Sequence, residues 1–264
     1  MKIGIFDSGL GGLWSAKSII KNLPEYSYVY LGDTKRLPYG NRGANTVYEF
    51  FCEALRFFYE KENCKIVVVA CNTVSAEAVE RAKKEFLPKY FPNRKIIGVV
   101  GSIARDASKY KRVGIIATLG TVASGTYPKR ILEISPETKI FQNPAPLLVP
   151  IIEAGENELV DTVLPRYLKP LVSKKIEVLV LGCTHYAIIK NNIKKMLPKG
   201  IKIISQDTTL WRRVKDHLDS NPETKNELDK NHGRIFYVTE KTPHFQKLAK
   251  KWFPGSTLHE VNIK

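Results

Sequence analysis

The chain is poor in cysteine, with four in 264 residues, and no two of them stand in a C-x-x-C pair. That excludes a disulfide-stapled scaffold and gives no support to thioredoxin-like redox chemistry. No apolar run approaches the roughly 20 residues of a membrane span. The apolar stretch at Ile3–Phe6 is too short for a secretory signal and lacks a cleavage site. A soluble, cytoplasmic protein with free thiols is expected. The sequence also lacks low-complexity linkers, zinc-finger spacing and any basic run of five or six residues. Its net charge of +16 comes from lysines and arginines spread along the chain. Clusters such as Arg81, Lys83 and Lys84, or Lys190, Lys194 and Lys195, fit the solvated faces of helices, so no nucleic-acid partner is expected. The same charge would draw small anions toward a cleft.

What is present is a rhythm. Short apolar runs at Ile3–Phe6, Tyr28–Leu31, Ile66–Ala70 and Ile96–Val100 read as strands, as do Val113–Ala117, Ile140–Gln142, Val178–Leu181 and Ile201–Ile204. Helical-period segments at Gly12–Asn22, Asn45–Glu62, Ala76–Lys89, Glu156–Val172 and Tyr186–Leu197 alternate with them. Such alternation predicts an α/β fold with mainly parallel sheets flanked by helices. Runs such as IVVVA and VLVL are apolar throughout, as strands buried on both faces are.

An internal repeat overlies this rhythm. KIGIFDSGLGG at residue 2 resembles RVGIIATLGTV at residue 112, an offset of 110, and KIVVVACNT at 65 resembles EVLVLGCTH at 177, an offset of 112. Pro38 and Pro150 also stand 112 residues apart. Two related, pseudo-twofold halves are expected, residues 1–96 with 210–264 as the first and 97–209 as the second. Ligands of open α/β sheets bind beyond the carboxyl ends of the strands. Cys71 and Cys183 each follow a strand directly, so a crevice between the halves would receive one thiol from each side.

Several chemistries compete for that pair. Cys71, Cys183 and His185 could supply three metal ligands, but Cys-x-His alone is weak metal spacing. The Gly-rich turn after the first strand lacks the G-x-G-x-x-G spacing of a dinucleotide site. Burial as small core residues suits Cys52 and Cys64, which lie in or beside an aromatic helix, better than it suits Cys71 and Cys183. Proton transfer fits better: inverting a carbon centre needs a base on one face and an acid on the other, and a thiolate and a thiol supply both. Each thiol then needs a helix N-terminus or a titratable neighbour. Asp7, His185 and Glu153 are the candidates, with a turn-forming or helix-capping role the main competing reading for Asp7. Asn72, Thr73 and Thr184 stand where strands give way to helices, so their backbone N–H groups could receive a carboxylate. The Asp-Ser-Gly turn at Ser8 could do the same, with glycines 9, 11 and 12 permitting close approach.

IFDSGLGG at 5–12, LGDTKRLPYGNR at 31–42, VVACNTVSA at 68–76, GTVASGTY at 120–127, VPIIEAG at 149–155 and LGCTHY at 181–186 together resemble the glutamate racemases, cofactor-independent enzymes that supply D-glutamate for bacterial peptidoglycan. The resemblance implies two α/β domains, the first completed by C-terminal residues, often assembled as a homodimer. It implies Cys71 and Cys183 as the acid/base pair, the first serving D-glutamate and the second L-glutamate. It gives Asp7 to Cys71, and His185 with Glu153 to Cys183. Ser8, Tyr39, Gly40, Asn72, Thr73, Thr184 and His185 would hold substrate alongside Asp7, with Thr118 and Thr121 adding hydroxyls. No metal, pyridoxal phosphate or nucleotide is implied. The chain departs from the pattern at Trp14, Gly101-Ser102, Ala145, Ala187 and the stretch Ser205-Gln206-Asp207-Thr208. Aspartate and hydantoin racemases of the same superfamily are the alternative, as is a non-catalytic basic binding protein on the racemase fold. GCTHY, DSGLGG and PYG together favour glutamate.

Overall fold

The computed structural model describes residues 1–264, the side chain of Asn157 excepted. Strands β1 (Lys2–Asp7), β2 (Tyr28–Gly32), β3 (Cys64–Val69) and β4 (Lys95–Gly98) lie side by side in the order β2-β1-β3-β4. Strands β5 (Arg112–Ala117), β6 (Lys139–Pro144), β7 (Val178–Gly182) and β8 (Lys202–Ile204) form a second sheet in the order β6-β5-β7-β8. The two orders are the same. Strand pairing is parallel in both. The sequence repeat therefore has a structural counterpart, β1 matching β5 and β3 matching β7. The proline pair does not: Pro38 lies in a loop, whereas Pro150 is inside the helix Leu148–Ala154.

The C-terminal segment adds β9 (Arg234–Val238) and β10 (Leu258–Glu260) to the outer side of β2, so the first sheet has six strands. Strand β9 pairs with β2 across more than 200 residues of chain, Tyr28 opposite Arg234. The inner faces of both sheets share one core. Ile3 and Ile5 of β1, Val113 and Ile115 of β5, Val178 and Val180 of β7 and Leu210 and Val214 of the helix Gln206–Asp219 are all fully buried in it. Burying one such side chain contributes roughly 1.5–3 kcal/mol.

Several elements depart from the sequence reading. The strand expected at Ile96–Val100 ends at Gly98, and Val99–Ala107 is helical. The Ser75 hydroxyl accepts the Val100 N–H there, satisfying one of the free donors of the new helix. The helix expected to begin at Ala76 begins at Asn72, directly after Cys71. The segment Asn45–Glu62 is helical from Ala44 and closes in a π-helical turn at Phe57–Lys61. Tyr186–Leu197 is not one helix: Thr184–Ala187 is a 3₁₀ turn and the α-helix spans Lys190–Met196. Trp14 is accommodated by Trp252, whose ring meets it edge-on at 5.3 Å. Among the described residues, no helix is long and apolar enough to cross a membrane.

Candidate active site

In a 2-1-3-4 sheet the chain leaves β1 and β3 in opposite directions, and a crevice opens between their carboxyl ends. Here that point occurs twice. β1 delivers Asp7 and Ser8, and β3 delivers Cys71, Asn72 and Thr73. β5 delivers Thr118, and β7 delivers Cys183, Thr184 and His185. The crevice is narrow. It is lined by Ser8, Tyr39, Gly40, Asn72, Thr73, Thr118, Thr184 and His185, with both thiols among them.

The contacts across it are close. The hydroxyls of Thr73, Thr118 and Thr121 form a triangle, 3.0 Å between Thr73 and Thr118 and 2.9 Å between Thr118 and Thr121. Gly40 packs against Thr118 so tightly that a Cβ there would lie 2.5 Å from the threonine Cβ. A Cβ on Gly11, at the start of the helix Gly11–Asn22, would lie 2.5 Å from the His185 backbone nitrogen. Any side chain at these glycines would force the walls apart.

The two thiols have different surroundings. Cys71 is buried, with its Sγ 3.6 Å from the Ser8 hydroxyl. Burial, reinforced by the nearby Asp7 carboxylate, pushes its thiol up to about 12 against hydrogen bonds from the Val74 amide and Ser8. Cys183 is also buried, and its Sγ lies 3.7 Å from His185 Nδ1. His185 Nε2 in turn meets Glu153 Oε1 at 2.5 Å, and the same oxygen accepts the Leu10 N–H at 3.1 Å. Burial alone would lower the imidazole, but its contacts with Cys183 and Glu153 override that and hold it well above its ordinary value. Burial likewise raises Glu153, and the contact with His185 outweighs it, holding the carboxyl below its usual range. Asp7 is pushed up to about 6 by burial, against the pull of His185, the Gly9 N–H at 3.0 Å and the Thr184 hydroxyl at 3.4 Å.

Two buried polar atoms here have no partner among the described residues: Asp7 Oδ2, an acceptor, and Asn72 Nδ2, a donor. Leaving such groups bare costs about 1–3 kcal/mol each. An amino acid carries both complements, an ammonium for the first and a carboxylate for the second. The residues the sequence singled out thus converge, except that the Tyr39 hydroxyl donates to Asp33 and so turns from the crevice. Two residues had no assigned role. The Tyr127 hydroxyl donates to Asn72 Oδ1 at 2.6 Å and so anchors that side chain in the crevice wall. Gln206 supports the loop that carries Cys183. Tyr127 closes the GTVASGTY motif, and Gln206 stands in a stretch that departs from the family pattern, so both were visible as positions without a function. Among the described residues, no three His, Cys, Asp or Glu side chains are grouped to hold a metal ion.

Residues 19–209 match the model of the Asp/Glu/Hydantoin racemase family. The glutamate racemase of Prochlorococcus marinus (strain NATL2A) is 35% identical over 270 residues, covering 100% of this chain and 96% of that protein. The glutamate racemase of Aquifex aeolicus (strain VF5) is 36% identical over 255 residues, covering 95% and 93%. Among solved structures, the glutamate racemase of Francisella tularensis subsp. tularensis SCHU S4 in complex with D-glutamate superimposes with a TM-score of 0.88 at 31% identity, covering 100% of this chain and 98% of that one.

Proposed function

The chain belongs to the Asp/Glu/Hydantoin racemase family, and we propose that it is a glutamate racemase, interconverting L- and D-glutamate by two-base proton transfer at Cα. The observation that carries the reading is the pair of thiols at matching strand ends of two sheets with the same strand order, both lining one crevice. In the L-to-D direction, a thiolate at Cys183 takes the α-proton from one face and the Cys71 thiol delivers its proton to the other. Cys183 ends as thiol and Cys71 as thiolate, and the reverse reaction exchanges the roles. The imidazolium of His185, held by Glu153, is the charge partner for the thiolate at Cys183. Asp7 Oδ2 receives the substrate ammonium, while Asn72 Nδ2 and the Thr73–Thr118–Thr121 hydroxyls receive carboxylate oxygens. Neutralising Asp7 with the ammonium also removes one of the charges that oppose a thiolate at Cys71. The cationic surface concentrates a substrate that carries two carboxylates and one net negative charge at neutral pH.

Glutamate is preferred over aspartate on the names and identities of the relatives. We place the enzyme in the cytoplasm, supplying D-glutamate for peptidoglycan, and as a homodimer in keeping with the family. The test is the decay of optical activity of L-glutamate, and separately of L-aspartate, in heavy water. Decay with glutamate alone is expected. Decay with aspartate alone would transfer the two-thiol chemistry to the shorter substrate, and no decay from folded protein would overturn the reading.

A further inference from the structure

The carboxyl end of β8 lies next to that of β7, so the first residues of the helix Gln206–Asp219 come to rest under the Cys183 loop. Gln206 is 1% exposed there. Its Nε2 donates to the Thr184 carbonyl at 3.2 Å and reaches the Cys183 carbonyl at 3.5 Å. Both neighbours are acceptors, so the amide is fixed with its nitrogen toward them. Its Oε1 is buried without a partner among the described residues. A side chain that only filled space would be better apolar, since a bare buried acceptor is costly. The loop it holds is the one whose geometry decides the chemistry on one face: Cys183 Sγ, the Thr184 hydroxyl toward Asp7 and the His185 ring all hang from it. Among the described residues no comparable side chain spans the Cys71 carbonyl, which instead accepts the Ser75 N–H within its own helix.

We infer that Gln206 is a positioning residue for the Cys183 half of the reaction, fixing the backbone of Cys183 and Thr184 so that the thiol meets the substrate α-carbon from one face only. The inference rests on the two-thiol reading above. Gln206 does not line the crevice and acts through the loop. Removing it loosens Cys183 and leaves Cys71 as it was.

The two thiols act at different moments in the two directions, which makes the effect separable. With L-glutamate, Cys183 removes the α-proton; with D-glutamate, it delivers one. Gln206→Ala and the isosteric Gln206→Glu, which loses both N–H donors, are measured beside the wild type with α-deuterated L- and D-glutamate. We expect kcat/KM to fall about tenfold or more. The substrate isotope effect should rise for L-to-D and fall toward one for D-to-L, while the solvent isotope effect moves the opposite way. Ser8→Ala, on the Cys71 side, should reverse the pattern. A variant that merely fails to fold is recognised by its circular dichroism, and the isosteric variant guards against that case. If the wild type does not racemise glutamate, the parent reading fails. If it does, and isotope effects in folded Gln206→Glu stay at wild-type values or shift equally in both directions, Gln206 is not a positioning residue for Cys183.

Discussion

The Cys71 and Cys183 ends of the crevice descend from the same strand topology and differ in the charge placed beside the sulfur. Cys71 has a hydroxyl, a backbone amide and a nearby carboxylate, and burial pushes its thiol up to about 12. Cys183 has an imidazole braced by a carboxylate. The first arrangement keeps a proton available and the second provides a counter-charge for an anion. The site is therefore unsymmetrical: burial and Asp7 favour the thiol form of Cys71, whereas an imidazole braced by Glu153 stands beside the Cys183 sulfur. The strand order fixes where the two sulfurs stand, and their neighbours make the two surroundings different.

That comparison breaks most severely at the sulfurs themselves. Cys71→Ala and Cys183→Ala should each lower racemisation of either enantiomer by at least about 10³-fold, measured by circular dichroism at saturating substrate. Substantial racemisation by either variant would end the two-base account. Glu153→Gln and His185→Asn should come next, each with a loss of about 10²-fold. Glu153→Gln removes the charge that holds His185 up, so its pH–rate profile should lose activity at a lower pH than the wild type as the imidazolium deprotonates. An unchanged profile would mean that Glu153 does not act through His185.

A smaller effect sharpens the comparison from outside the chemistry. Glu77, at the end of the helix that begins after Cys71, packs directly against Gly120 of the second half: a Cβ on that glycine would lie 2.4 Å from Glu77 Oε1. Its Oε2 is buried without a partner among the described residues, and burial pushes the carboxyl up to about 7. The folded state then binds a proton more tightly than the unfolded one, so stability falls as pH rises from about 4.5 to about 7. Glu77→Gln abolishes that component. Its melting temperature should match the wild type near pH 4 and exceed it by a few degrees at pH 8. A constant difference across that range would show that Glu77 does not titrate on folding. Smallest of all, Cys52→Ser and Cys64→Ser should leave turnover nearly intact, because neither sulfur lines the crevice. A large loss in folded protein would mean that the wrong pair had been chosen.

The β1, β3, β5 and β7 cores were legible because each is a continuous apolar run ended by a polar or small residue, a pattern that short-range chemistry alone produces. The helix at Val99–Ala107 was hidden because Val99 and Val100 prolong the apolar run of β4; only the Ser75 cap and the buried face of the helix reveal the change. Strands β9 and β10 carry no motif, and their place beside β2 depends on pairing at long sequence separation, which local periodicity does not encode. At the site, the residues on strand ends announced themselves. Gln206 did not, since a glutamine after a strand has no chemistry of its own and matters only through the Cys183 loop that the fold brings over it.

The central claim is that each sulfur serves one face. It is tested most directly by following deuterium into both enantiomers at the start of the reaction in heavy water, first from L-glutamate and then from D-glutamate. Two monoprotic bases require solvent deuterium in the newly formed enantiomer while the remaining substrate stays protonated. A single base serving both faces would return the substrate's own proton to the product, or label both enantiomers together, and either result would contradict the account.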